Sequence, residues 1–382
     1  MEETSAQPLA SIVILFMDGS PWIERCLASL RQHIPDSLPH EVVVLANGVA
    51  SETDMARADG VRLLRSGLNL GFGPGCNWAA RHARGKYLVF LNDDTYVTTG
   101  WLESLVDTAE RDPRTGAVSS LVVAPDGRIA EAGRVLWRDG SSDGIAGGLR
   151  ASEHRLPRLR EVDSASGCSL LVRRHAWDEV GGFDERYFPA YYEDADLCLG
   201  LRAAGWAVVS ATTSRVFHER SASTSLLWRR FLGLRNHRLF ADKWAEALPV
   251  FDPKPRDRPT VREVERAARG AENRRQAVRA TVQQRPRTVS RAPSEVERSQ
   301  MSDEIELLQR QLRTLEAELH VKDEYLAFLE QNRESWERGL QRSLDAERRR
   351  AALRDRIRRI PLLGRLLVYL KRRRGTPSSK QS

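Results

Sequence analysis

Three short stretches of the chain hold side chains able to do chemistry. Asn92, Asp93 and Asp94 close an apolar run over residues 87–91. Adjacent carboxylates at a strand end repel each other unless a cation neutralises them, and hard oxygen ligands suit Mg2+ or Mn2+. A capped turn is the bland alternative, because Asn and Asp favour such places. The second stretch reads Gly181, Gly182, Phe183, Asp184, Glu185, Arg186, Tyr187, Phe188, then Tyr191, Tyr192, Glu193, Asp194, Ala195, Asp196. Glu193 and Asp194 fall at a helix start, where unpaired amides and the helix dipole favour carboxylates for stability alone. A carboxylate crowded by Glu193 and Asp196 amid tyrosines would also have a raised pKa, as a general base requires. The third stretch is Val216, Phe217, His218, Glu219, Arg220, Ser221, with Ser223 and Thr224 beyond. His218 either satisfies a buried structural place or completes a metal site built otherwise from carboxylate and phosphate oxygens. Arg220 and the neighbouring hydroxyls suit phosphate.

Such residues need elements that bring strand ends together. Residues 12–17, 41–46 and 61–65 read as strands, 21–33 and 75–84 as helices, and 86–91 as a buried strand. Alternation of apolar runs with amphipathic stretches predicts a sheet of mainly parallel strands flanked by helices. Ligands collect at the carboxyl ends of such strands, where all three stretches lie. Residues 101–111 read as a helix, and 125–165 as hairpins with a mobile loop whose least ordered part is 140–148. Strand character returns at 165–173, followed by a helix over 193–204, a strand over 206–211 and closing helices over 226–245.

The 382 residues, 41% hydrophobic and 29% charged, suit two regions better than one. The four cysteines are far apart, which argues against a disulfide framework or zinc cluster and for a reducing compartment. The net charge of +8 is uneven: residues 1–251 carry 28 basic against 32 acidic residues, and 351–382 carry 10 against 1. Any polyanion contact therefore belongs to the tail. Residues 1–10 lack the basic start of a secretory signal, and no run reaches the 18 or so apolar residues of a membrane span, so an unexported, non-spanning chain is expected.

Prolines 253, 255 and 259 mark a boundary, giving a first domain over 1–251 and a basic, partly helical Pro/Arg-rich linker over 252–300. Within 301–350, Ile305, Leu308, Leu312, Leu315, Leu319, Leu326, Leu329, Trp336 and Leu340 repeat at spacings of three and four, broken by Lys322, Arg333 and Ser343. This is the seam of a coiled coil, predicting a homo-oligomer; a helix packed back on the first domain is the alternative. Residues 351–382 read as a basic amphipathic helix and a disordered tail, with nine apolar residues among the arginines of 354–374. That mixture suits an anionic membrane surface.

Taken in order, these pieces resemble a family 2 glycosyltransferase with the GT-A fold, similar to bacterial rhamnosyltransferases of polysaccharide assembly. The resemblance covers about residues 10–245. It is carried by Asn69, Leu70, Gly71, Phe72, Gly73 with Asn77, by FLNDDT at 90–95, and by the long stretch from Gly167 to Gly205. It implies a Rossmann-like mixed α/β sheet flanked by helices. It implies donor contacts from Asn69, Gly71, Gly73, Asn77 and Asn92, with Asp94 binding a Mn2+ or Mg2+ ion on the sugar nucleotide's diphosphate, Asp93 helping and His218 as a further ligand. Asp194 is then the base toward the acceptor hydroxyl, supported by Glu193. Gly167 and Cys168, with Ser169, line the sugar site, and Tyr192 and Arg220 join the acceptor side. Two departures stand out. The family usually has Asn where Asp18 follows the first strand, and Asp where this chain has Ala46 before Asn47 and Gly48. Loss of that aspartate removes an acceptor for the nucleotide base, a place left to Asp18 or Asn47.

The expected function is a metal-dependent, inverting transfer of a sugar from a nucleotide-sugar donor to a saccharide or lipid-linked acceptor. It would take place at the cytoplasmic face of the membrane, in cell-surface polysaccharide synthesis. A different class, an inactive glycosyltransferase-like scaffold acting through its coiled coil, draws on Ala46. Unspecific nucleic-acid binding through 254–298 needs only electrostatics, and that segment has no recognition motif or aromatic platform, so no specific nucleic-acid partner is expected.

Overall fold

The computed structural model describes residues 7–17, 20–48, 60–153, 155–219, 225–255, 258–282 and 306–332. Asp18, Arg220, all of residues 283–300, the seam residue Ile305, the seam beyond residue 332 and the basic helix over 354–374 lie outside the described residues.

A mixed sheet has the order β10-β12-β6-β11-β4-β1-β2-β3, with β5 on β12 and β7 (Ile129–Glu131) on β6. Strands β1 (Ala10–Phe16), β2 (His40–Asn47), β3 (Val61–Ser66) and β4 (Tyr87–Asn92) are parallel neighbours. The switch comes at β11 (Ser169–Arg173), antiparallel to both β4 and β6 (Thr115–Val123). β12 (Ala207–His218) runs parallel to β6 and antiparallel to β5 (Thr95–Val97) and to the edge strand β10 (Leu159–Glu161).

The sheet buries both faces by the two-residue period of a strand. Ile12, Ile14, Val42, Val44, Val89 and Leu91 pack under α1 (Ile23–His33) and α3 (Trp101–Arg111). Val13, Val43, Leu45, Leu88 and Phe90 pack under α2 (Phe72–His82), α4 (Arg174–Val180) and α5 (Glu193–Ala204). The sequence-based elements are present to within a few residues, except that the strand read over 206–211 runs on to His218; one further strand is β6, which has no readable pattern. All nine of its residues are buried, two of them the serines Ser119 and Ser120. Ser120 is satisfied inside the core by the Trp101 indole N–H at 3.1 Å, Ser169 Oγ at 2.7 Å and Ser214 Oγ at 2.8 Å. A strand covered on both faces shows no alternation.

Two further expectations are corrected. Residues 140–148 are not a loose loop: β8 (Arg134–Leu136) pairs with β9 (Ser142–Gly144), and Ile145 and Ala146 that follow are buried in the core. The apolar pair and a hairpin register hold what glycine content alone suggested was mobile. Residues 258–282, read as the partly helical part of a linker, are helical as expected but are not a linker: they form α7 (Val261–Ala268), started by a Thr260–Glu263 capping box, and α8 (Ala271–Val282). Both pack on the sheet domain. Arg274 makes a bidentate pair with fully buried Asp163 at 2.7 and 3.0 Å, and Arg275 reaches Glu161 at 2.8 Å. The compact unit extends to Val321, with a second unit from Lys322.

Residues 306–332 are helical. Within the first unit this helix docks through Glu306 onto Arg81, Arg310 onto Glu185 at 2.7 Å and Gln311 onto Ser66 at 3.3 Å. The seam residues Leu308, Leu312, Leu315 and Leu319 are 43–66% exposed. No helix among the described residues is long and apolar enough to cross a membrane.

Candidate active site

β4 ends at Asn92 and turns at once into β5, and β5 pairs with the end of β12 so that His218 lies opposite Thr95. That register sets the imidazole against the Asp93–Asp94 turn. His218 Nε2 is 2.9 Å from Asp94 Oδ1, and the Asp94 carbonyl accepts the Glu219 amide at 3.0 Å. Burial pulls the His218 pKa down, but hydrogen bonds to Asp94 and Cys168 carry it up to about 10, leaving a cation. The Asp93 carboxyl is raised by burial and by the charge of Asp94, against a hydrogen bond from Ser20. Two carboxylates and an imidazole in one corner are a donor set of the kind that suits a divalent cation, provided the ion displaces the His218 proton, since only the neutral ring ligates. No group of three such ligands among the described residues is arranged to enclose an ion by itself. An ion here would take its remaining ligands from a bound anion or water.

The other carboxylates sit at the start of α5. Asp194 Oδ1 accepts the Ala195 amide at 2.8 Å and Oδ2 the Gly167 amide at 3.3 Å. Burial lifts its pKa above the usual aspartate range, while the nearby Arg134 guanidinium opposes the rise. Glu193 is deeper, 6% exposed, and its Oε2 has no hydrogen-bond partner among the described residues. Burial first, then the charge of Asp194, pushes its carboxyl well above the usual glutamate range, which favours the neutral form. The crowding by Asp196 expected from the sequence is secondary, because Asp196 is bound by Lys243, Trp244 and Tyr187 at 2.7–3.0 Å.

The two corners meet through two residues. Gly167 gives its amide to Asp194, while the Cys168 carbonyl accepts the Asn92 amide at 3.0 Å and its thiol bonds His218. A Cβ on Gly167 would press on the Phe72 ring at 3.2 Å. Buried Cys168 therefore braces the Asp93–Asp94–His218 corner.

The remaining donor-side residues form a scaffold behind the strand ends. The Asn47 amide bonds Asn69 Oδ1 at 3.1 Å and the Gly71 carbonyl at 3.3 Å, and its Oδ1 accepts the Leu70 amide at 2.7 Å. Gly71 has φ of 77°, and a Cβ there would lie 2.8 Å from Phe188. Gly73 packs on Phe183, and Asn77 is committed to the Phe183 backbone and Glu185 at 2.9–3.1 Å. These asparagines hold the loops, and Asn47 does not make up for Ala46 with an unengaged amide. The Tyr192 ring packs on His237 and Phe240 of α6 (Leu226–Lys243).

Sequence reasoning missed two supports. Tyr191 and Tyr192 both have left-handed backbones, φ of 80° and 76°, a strained conformation held only when its surroundings over-determine it. The support is Asn236 of α6, fully buried, whose Nδ2 lies 2.9–3.0 Å from the carbonyls of Tyr187, Ala190 and Tyr191. The second is Glu131 of β7 (Ile129–Glu131), which accepts the Ser166 amide at 2.9 Å and pairs with Arg134 at 2.8 Å. Neither is near the acidic residues in sequence, and no local pattern marks them.

Among known proteins, the model of the family "Glycosyl transferase family 2" matches residues 11–178. N-acetylglucosaminyl-diphospho-decaprenol L-rhamnosyltransferase of Mycobacterium tuberculosis (strain ATCC 25618 / H37Rv) is 33% identical over 243 residues, 56% of this chain and 76% of that protein. O-antigen biosynthesis protein RfbC of Myxococcus xanthus is 35% identical over 160 residues, 38% of this chain and 12% of that one. The fold is like that of a crystal structure of GalNAc-T7 with UDP, GalNAc and Mn2+, at a TM-score of 0.51 and 15% identity over 64% of this chain and 50% of that chain. The strand-end carboxylates thus sit on a GT-A sheet, in a sequence matched over 76% of a rhamnosyltransferase's length, and the chain belongs to glycosyl transferase family 2.

Proposed function

We propose that the chain moves a sugar, with inversion, from a nucleotide-sugar donor to a hydroxyl of a lipid-linked saccharide, in cell-surface polysaccharide synthesis at the cytoplasmic membrane face. The observation that carries this reading is the Gly167–Cys168 step, which ties a half-buried carboxylate to a corner of two aspartates and a histidine. Asp194 takes the proton from the attacking hydroxyl, its carboxylate oriented by the Gly167 and Ala195 amides. Glu193, kept neutral, adds no second negative charge beside it. One base and one attacking hydroxyl suffice when attack comes from the face opposite the leaving group, the logic of inverting glycoside hydrolysis. Asp94, Asp93 and His218 would hold Mn2+ or Mg2+, which supplies positive charge against that growing on a departing nucleoside diphosphate. The lipid-linked acceptor is supported by what the mycobacterial relative's name says of that relative. The exposed leucine seam of the 306–332 helix supports self-association with a second copy.

The scaffold reading draws on one observation: Ala46 is fully buried and the Asn47 amide beside it is engaged. Calorimetry of the full chain with UDP, dTDP and GDP, each with Mn2+ or with EDTA, separates the two. Metal-dependent binding of one nucleotide is expected. Absence of binding by all three overturns the enzyme reading in favour of the scaffold.

A further inference from the structure

Helix α6 clamps the catalytic loop from within and presents an unusual face outward. Its inner side is Phe231, Leu232, Asn236 and Phe240, all buried. On the other side Leu226, Arg230, Leu234 and Arg238 follow one another at four-residue spacing, which places them on one stripe, and all four are exposed. Leu226 is 75% exposed, Leu234 44% and the adjoining Leu227 41%. The helix has four arginines and a lysine against one aspartate. Arg229 lies close enough to Tyr191 to act on its hydroxyl, and Tyr191 is itself 39% exposed.

We propose that this face of α6 seats on an anionic lipid surface, holding the mouth of the acceptor site at the lipid–water boundary. The inference rests on the lipid-linked acceptor reading above. Two observations favour a lipid surface over a protein partner. Leucine and arginine share the same stripe, so apolar side chains can enter the acyl boundary while guanidinium groups meet phosphates at the headgroup level. A helix-to-helix seam looks different, as the 306–332 helix shows with its leucines at spacings of three and four. The location adds a functional reason. Asn236, on the inner side of the same turns, bonds the loop that leads directly into Glu193 and Asp194. A surface contact on α6 is thus mechanically continuous with the base.

The test uses the full chain. Leu226→Cys and Leu234→Cys variants are labelled with a polarity-sensitive fluorophore, and Asp126→Cys on an exposed turn serves as control. The four native cysteines are buried, so labelling is selective. Vesicles containing phosphatidylglycerol should shift emission to the blue at positions 226 and 234 and not at 126. Pure phosphatidylcholine and raised salt should weaken the shift. No shift at 226 and 234 overturns the proposal, even if the protein sediments with vesicles, because contact then lies elsewhere in the chain. A shift that needs only higher protein concentration overturns it in favour of a second copy. As an independent arm, Leu226→Ser combined with Leu234→Ser should lower turnover about tenfold on a vesicle-borne acceptor and leave a short water-soluble acceptor unaffected. Equal turnover of the variant and the parent chain on vesicles sinks the surface contact alone. No turnover by the parent chain on either acceptor sinks the transferase reading instead, while the fluorescence still reports on the surface.

Discussion

Thirteen residues contain two pairs of carboxylates with opposite circumstances. Asp184 and Asp196 share Lys243, whose Nζ lies 2.8 and 2.7 Å from them. Burial pushes Asp184 up, yet bonds from Arg186 and Lys243 hold it well below the usual range. Glu193 and Asp194, between them in sequence, touch no lysine or arginine through a hydrogen bond among the described residues, and both are raised. The first pair ties α6 to the start of α5; the second is left with unspent proton affinity. A directly bonded pair of cations holds Asp184 ionised, whereas Asp196, more deeply buried on the same lysine, is still raised by burial, as Glu193 and Asp194 are; what sets the last two apart is the lack of a hydrogen-bonded lysine or arginine among the described residues.

The sharpest way to break the comparison is Asp194→Asn. Turnover should fall roughly a thousandfold, the usual scale of a general base, while calorimetric affinity for the nucleotide stays within about twofold. Retained turnover would place the base elsewhere. Lys243→Met attacks the other pair. It leaves two carboxylates facing each other and should cost about 2–3 kcal/mol in denaturant unfolding, at the lower end for a broken pair because Lys243 is partly exposed. Asp184 has a depressed pKa, so the contribution lost is full above pH 3.8 and fades only as the pH falls below it. An unchanged midpoint at pH 7 would show that the lysine is not holding the pair.

The smallest effect is expected from Glu193→Gln. A carboxyl raised on folding stabilises the fold fully below its unfolded pKa and loses that contribution as the pH rises toward the folded value. The parent chain should therefore lose stability relative to the variant as the pH climbs above 4.5, with near equality below. Parallel unfolding curves from pH 4 to 8 would mean that Glu193 is ionised in the fold.

Much of this was legible in the sequence. α3 and α5 stand where their patterns place them, and His218 does close a strand beside Asp94. What could not be read was long-range satisfaction of polar groups. Ser119 and Ser120 hid β6, because two adjacent serines mimic a loop composition, and the partners that satisfy the Ser120 hydroxyl, Ser169 and Ser214, lie far away in sequence. Asn77 matched a donor motif by type and spacing, yet its amide serves a loop more than a hundred residues away. Asn236 and Arg134 have no local signature, since their meaning lies in carbonyls and carboxylates brought to them by the fold. Cys168 read as sugar-lining from its place in a motif, and only the pairing of β12 with β5 turns its thiol toward an imidazole.

The arginines of α8 bear on how the chain is made. Every proposed site residue precedes position 221, but Asp163, with no exposure, lies among Arg202 and Arg274, and Arg274 comes more than a hundred residues after it. A nascent chain that has released only its first 251 residues holds that acid with half of its neutralising partners, at the edge where β10 meets β12. Full neutralisation of that buried acid therefore waits on a helix synthesised after the site itself, and a chain cut at residue 251 carries the whole proposed site above an acid short of one cation.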